Sequence, residues 1–248
     1  MIRYIKYTLL SLVQLVVVNT HAQMLTRVKH FDKIIVSPHI QTTFVEGDEE
    51  SVNVEKCTVD KSKIHIEVNG ETLRIYLEGA KDLEKNKTDF KNGYKEKHSI
   101  YTGTVLTAVI KYKTLHELSL RGEEDHVCKS VLKGDKFSLK IYGESDVILN
   151  AVNLGELATT IYGESNLKIL SGSAKSQKYI AYGEGKINSL AISGSSSKIT
   201  AYGEADFKVN VSDEIKITAF GEASVHYTGN PVINKGLHIG DLHIEKMN

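Results

Sequence analysis

Five carboxylates recur at a nearly fixed interval in this chain: Glu144, Glu164, Glu184, Glu204 and Glu222. Each closes a three-residue phrase, Tyr142-Gly143-Glu144, Tyr162-Gly163-Glu164, Tyr182-Gly183-Glu184, Tyr202-Gly203-Glu204 and Phe220-Gly221-Glu222. The steps are 20, 20, 20 and 18 residues, and a degenerate copy, Arg121-Gly122-Glu123, stands 21 residues before the first. Repeated carboxylates suit general acid–base work or the holding of hard cations. The rings at Tyr142, Tyr162, Tyr182, Tyr202 and Phe220 are read first as a structural ladder that stacks in register, and they also suit contact with sugar rings or with a partner protein. These ten residues are the candidate ligand-binding set.

Acid–base catalysis fits them poorly. A glycosidase or lyase needs carboxylates in unlike environments, one protonated while the other is charged. Here they recur identically, and a catalytic centre should break the repeat. His116 and His226 are single histidines near strand ends, read as surface or core-edge residues, and Gly172-Ser173 and Gly194-Ser195 read as loop composition. No catalytic residue and no cofactor is assigned. Stacked at the spacing of strands in a sheet, neighbouring glutamates would repel by about 1 kcal/mol in water-like surroundings and by several times that if buried. A solvated acidic stripe, relieved by lysines such as Lys140, is therefore the preferred reading over a cation site. The Gly- and Asp-rich nonapeptide that binds calcium in other solenoids is missing. No metal site is assigned.

A period near 20 residues means stacked coils, none of which buries its apolar side alone. On a strand, alternate residues face opposite ways. Leu139 and Ile141, Thr159 and Ile161, Tyr179 and Ala181, Ile199 and Ala201, and Ile217 and Ala219 then point inward, whereas the rings and glutamates point outward. Beyond each glycine the inward parity continues through Ser145, Ser165, Gly185, Ala205 and Ala223 to Val147, Leu167, Ile187, Phe207 and Val225, with Leu190 among further inward residues. Small residues on both sides of each glycine mark a corner where backbones crowd. A propeller blade needs about 40 residues, and the leucine-rich pattern is absent. The fold expected is all-β: a single-stranded right-handed parallel β-helix, or β-solenoid, with coils of about 20 residues.

Residues 1–22 read as a signal peptide, with Arg3 and Lys6 before an apolar run from Leu9 to Val18 and a cleavage site at Thr20-His21-Ala22. The run is short for a membrane span, so the mature chain is expected to be exported without one, to the periplasm, outer membrane or cell surface. Without Arg3 and Lys6, 29 basic residues face 31 acidic ones, a formal charge of −2. That balance makes no case for nucleic acid.

Residues 23–248 are read as one domain, with a β-rich opening or cap over 31–115 and regular coils over 116–240. The opening holds strands at Phe31–Val36, Ile40–Val45, Val52–Glu55, Ile64–Val68, Leu73–Leu77 and Tyr101–Tyr112, with a hairpin at Asn69-Gly70. The charged stretch from Lys81 to His98 reads as a solvated excursion. Tyr227-Thr228-Gly229-Asn230-Pro231 is expected to close the last coil, and His238 to Glu245 to return as a final strand or cap. Cys57 and Cys128, the only cysteines, fit either a disulfide or two separate thiols.

Phe31-Asp32-Lys33-Ile34-Ile35-Val36, the repeated strand–Gly–small–strand coils and the closing Tyr227-Thr228-Gly229-Asn230-Pro231-Val232 together resemble the auto-transporter adhesin head GIN domain family of exported proteins from Bacteroidetes-type bacteria. The resemblance spans about residues 31 to 240 and implies a right-handed β-helix, with no established activity. Family members carry Ser-Gly-Ser or Ser-Gly-Ala where this chain has Tyr-Gly-Glu, so the two ladders are a departure. The expectation is an exported, non-catalytic structural or adhesin-like module whose partner is a glycan or a cell-envelope protein. The alternative is a carbohydrate-active enzyme on the same scaffold, which a groove holding a non-repeating cluster of Lys or Arg with carboxylates would favour.

Overall fold

The computed structural model describes residues 24–82, 86–91 and 94–247. They form a parallel β-solenoid, with one short 3-10 turn at Lys61–Lys63. The sequence period becomes a register between rungs: Tyr142 lies beside Tyr162, Tyr162 beside Tyr182, and Tyr182 beside Tyr202, all in parallel pairing. The inward residues named above are buried as the parity predicts, from Leu139 and Ile141 to Ile217 and Ala219, and from Val147 to Val225. Leu190 is the exception, and is only half-buried. Each large aliphatic side chain enclosed this way stabilises the stack by about 1.5–3 kcal/mol. Tyr179 is fully buried too, its hydroxyl donating to Gln177 Oε1 at 3.2 Å.

The corners explain the glycines. Gly122, Gly143, Gly163, Gly183, Gly203, Gly221 and Gly240 stack in one column with φ between 102° and 124°, a region costly for any residue with a Cβ. Space is also missing. A Cβ at Gly143, Gly163 or Gly221 would lie 2.1, 2.3 or 2.5 Å from the carbonyl oxygen of the preceding glycine in the column. Those carbonyls are occupied: Gly122, Gly143 and Gly163 each accept the amide of the glutamate one rung on, at 3.0 Å.

The amino-terminal region holds two more rungs, interleaved. Lys33–Val36 pairs in parallel with Glu117–Gly122 on one side and with Thr72–Leu77 on the other. Ile40–Glu46 lies likewise between the start of His126–Gly143 and Leu106–Tyr112. The earlier segment in the chain is thus the inner rung in space. The open edge is then covered by antiparallel strands: Ile64–Asn69 on Thr72–Leu77, Ser51–Cys57 on Leu106–Tyr112, and Met24–Arg27 on Ser51–Cys57. The hairpin at Asn69-Gly70 forms as expected. Antiparallel strands at the end of a parallel stack blunt the unpaired edge.

Three expectations need correction. Within the Lys81–His98 stretch, Asn86–Lys91 and Tyr94–Ser99 pair as a separate antiparallel hairpin; Asn92-Gly93 between them is a hairpin signal that the charged composition obscured. The strand expected from Tyr101 begins at Leu106; Tyr101 instead donates its hydroxyl to the Glu78 carbonyl at 2.8 Å. The stack does not close at Tyr227–Pro231 and a single final strand. Val232–Ile239 and Leu242–Lys246 make one further rung, parallel to Glu214–Phe220 and Ala223–Tyr227. Of the two readings left open for the cysteines, the structure has the second: Cys57 and Cys128 are free thiols. Cys57 lies opposite Leu106, whereas Cys128 lies beside Phe44, which faces Ile110. Four residues of strand separate the sites by about 13 Å, beyond the roughly 7 Å that a disulfide spans. The expected signal peptide, residues 1–22, lies outside the described residues.

His126 is fully buried in the column of Val147 and Leu167, its Nδ1 2.7 Å from Thr42 Oγ1. Burial lowers its pKa from 6.5 to about 3. The depressed native value means that its contribution to stability is complete above pH 6.5 and is lost as pH falls from 6.5 toward 3. At pH 5 the loss is about 2 kcal/mol. Urea melts at pH 7 and pH 5 should show that loss in the wild type and not in His126→Val. Gly163→Ala should destabilise by about 1–3 kcal/mol from backbone strain alone, with the carbonyl clash in addition. Gly47→Ala, whose Cβ would meet Lys111 Cδ at an ordinary 3.6 Å, should leave the melting temperature nearly unchanged.

Candidate functional site

The glycine corner places the preceding residue of every rung outward, one above the next. Ring centroids are 4.9 Å apart for Tyr142 and Tyr162, 4.7 Å for Tyr162 and Tyr182, 4.9 Å for Tyr182 and Tyr202, and 5.1 Å for Tyr202 and Phe220. The interplanar angles are 1°, 4°, 3° and 4°. Tyr162, Tyr182 and Tyr202 are 40%, 37% and 40% exposed. Each inner ring has both faces against other rings, so the stripe presents edges and hydroxyls to solvent. A sugar cannot lie flat on a ring of this ladder; a surface that meets ring edges can.

Both ends of the column are closed. The Arg121 guanidinium sits 5.7 Å from the Tyr142 centroid, a cation–π arrangement, and pairs with Asp82, as does Arg74 at 2.7 Å. Arg121 first, and Arg74 with it, holds the Asp82 carboxyl below the usual range. At the other end Ile239 lies beside Phe220.

All five candidate glutamates are exposed, and the column continues through Glu123 at one end and Asp241 at the other. The sequence reading missed the last copy, Ile239-Gly240-Asp241. Its glycine stands 19 residues after Gly221, but both flanking residues are exchanged. Among the described residues these five glutamates make no ion pair, and no three ligating side chains converge to hold a metal. Glu124 differs from the ladder. It is buried, and desolvation raises its pKa, while the amides of His39 and Glu123 donate to Oε2 at 2.9 and 3.1 Å.

On the same sheet face two further columns run beside the rings. One holds Lys140, Thr160, Ile180, Thr200 and Thr218; the next holds Ser138 and Ala158 and then the exposed lysines Lys178, Lys198 and Lys216. Over the three rungs that carry those lysines the face reads lysine, threonine or isoleucine, ring, carboxylate from one side to the other.

The next face carries an open groove of about 360 Å³ lined by Asp146, Asn166, Lys168, Lys186, Asp206 and Lys208, among others. This is the non-repeating cluster of lysines with carboxylates named above. Asp146 accepts from Asn166 Nδ2 at 2.6 Å, and Asp206 lies 4.0 Å from Lys208 and 3.7 Å from His226. The two aspartates stand in register columns three rungs apart, about 14 Å at sheet spacing. Paired glycosidase carboxylates are at most about 9.5 Å apart.

A family profile described as "Putative auto-transporter adhesin, head GIN domain" matches residues 30–231. The structure is similar to that of a putative adhesin from Bacteroides fragilis, with 19% identity, 91% of this chain and 96% of that one covered, and a TM-score of 0.72. A putative adhesin from Parabacteroides merdae aligns at 16% identity over 92% and 96% of the chains with a TM-score of 0.65. A putative lipid binding protein from Parabacteroides distasonis aligns at 17% identity over 91% and 96%, also with a TM-score of 0.65. No curated protein sequence matches the chain. Among the described residues no helix is long and apolar enough to cross a membrane.

Removing one inner ring deletes two stacked contacts. Tyr182→Ala should cost about 1–3 kcal/mol beyond lost burial, read by chemical denaturation. Glu184→Gln should raise the melting temperature at low salt, and the gain should vanish near 1 M NaCl as screening removes the repulsion along the column.

Proposed function

The chain belongs to the auto-transporter adhesin head GIN domain family, and from that premise we propose that it is an exported, non-catalytic binding module of the bacterial cell envelope. The Tyr/Glu face, formed by Tyr142, Tyr162, Tyr182, Tyr202 and Phe220 with Glu144, Glu164, Glu184, Glu204 and Glu222, is its docking surface. One observation carries this reading: a half-exposed aromatic stripe lies beside a column of carboxylates that are unpaired among the described residues. Exposed apolar patches rimmed by polar residues mark interaction surfaces. Edge-on rings suit a protein surface of the envelope better than the flat face of a sugar. Export rests on the amino-terminal sequence pattern.

The lysine groove lends some support to a second reading, a carbohydrate-active enzyme with that groove as substrate track. The separation of Asp146 from Asp206 counts against it.

Binding of the labelled protein to envelope fractions and to a glycan array tests the proposal. The wild type should bind one of them, and Tyr162→Ser/Tyr182→Ser should lose that binding while still melting cooperatively. Cleavage of an acidic polysaccharide, abolished by Lys186→Ala and untouched by the tyrosine changes, would replace this reading with the enzymatic one.

A further inference from the structure

We propose that the partner of the Tyr/Glu face is a second copy of this chain, with the two solenoids side by side and pointing the same way. The inference rests on reading that face as a docking surface and names its occupant. Four columns cross the face in a fixed order, as in Lys178, Ile180, Tyr182, Glu184 and again in Lys198, Thr200, Tyr202, Glu204. Only two symmetric arrangements bring such a face against its copy. With the two-fold axis along the strands, lysines meet lysines and carboxylates meet carboxylates. With the axis along the solenoid, the lysine column of each copy meets the carboxylate column of the other. The rings of each copy then meet the threonine and isoleucine column of its mate.

Three observations favour this occupant. First, the opposite charges lie at the two margins of the face, six residues apart along each rung with the ring between them. They do not pair with one another within one molecule. Among the described residues Lys178, Lys198 and the five glutamates make no ion pair, and Lys216 pairs with Glu214 at 3.2 Å, on the side away from the rings. Second, the ring column and the threonines and isoleucine beside it lie between the charged ones, so over the rungs of Lys178, Lys198 and Lys216 the order is an uncharged, aromatic centre with a charged rim, as in a protein–protein interface. Third, the ring column is straight. Interplanar angles of 1° to 4° between successive rings leave little rotation from rung to rung along this column, whereas adjacent strands ordinarily rotate by about 20–25°. Straight columns of equal repeat keep their register from rung to rung. The ring and carboxylate columns run over the five rungs from Tyr142 to Phe220, and the lysine column over three of them, so the face measures roughly 20 by 20 Å, about 400 Å² per copy before side-chain overlap. That is about half of the 800 Å² per partner of a standard interface, the size of a weak, concentration-dependent contact.

Sedimentation equilibrium of the purified protein should show a concentration-dependent dimer. Lys178→Glu/Lys198→Glu/Lys216→Glu and Glu184→Lys/Glu204→Lys/Glu222→Lys should each weaken it by about a hundredfold or more, with melting curves confirming that both fold. An equimolar mixture of the two charge-reversed proteins should recover the dimer as a mixed pair, because each then offers the complement of the other. A wild type that stays monomeric, or a dimer that neither triple variant disturbs, would overturn the inference. A monomer that still binds glycans or envelope fractions through Tyr162 and Tyr182 would sink it alone, leaving the docking-face reading intact.

Discussion

The whole arrangement depends on one close approach: the carbonyl of each corner glycine against the backbone of the glycine one rung on. At Gly163 the vacant Cβ position is 2.3 Å from the Gly143 oxygen, and that same oxygen takes the Glu164 amide at 3.0 Å. A side chain there would break the hydrogen bond as well as strain the backbone. Because the corner is identical from rung to rung, the residues on either side of it are superimposed. The spacing of the rings and of the carboxylates follows from the spacing of the glycines. Function, if it lies on that face, is a consequence of backbone geometry before it is one of side-chain chemistry.

Stacking has a second effect. Rings set face to face at 4.7–5.1 Å stabilise one another and stiffen the sheet, but they hide the surfaces on which a sugar would lie. Carboxylates at the same spacing repel, and their exposure to solvent keeps that cost low. The ladder is thus favourable to the fold on its aromatic side and mildly unfavourable on its acidic side. An external cation, ammonium groups above all, would relieve the second.

The regular coils were legible in the sequence because one phrase recurs with its glycine intact and its flanking parity unbroken. Leu139, Thr159, Tyr179, Ile199 and Ile217 could be placed inside on alternation alone. The amino-terminal rungs were legible only as strands. Lys33–Val36 stacks between Thr72–Leu77 and Glu117–Gly122, so neighbours in space are not neighbours in the chain, and no period survives. There the corner glycine is replaced by Pro38-His39, with His39 at φ 68°. The final rung was legible only as a strand, because Ile239 and Asp241 stand where a ring and a glutamate stood before. The lysine groove was hidden for a related reason: Lys168, Lys186 and Lys208 fall five, three and five residues after their glycines, so they gather in space without repeating in sequence. Ring orientation is set by contact between rungs, and no spacing of residue types reveals it.

Amide hydrogen exchange at Glu144, Glu164 and Glu184 tests the central claim most directly, since these donors bond to the stacked glycine carbonyls and to nothing else in the corner. Protection as strong as that of the inward strand amides at Ile141 and Ile161 is the result predicted, because the corner opens only when the stack does. Exchange within seconds at the three glutamates, with the flanking strands still protected, would contradict it.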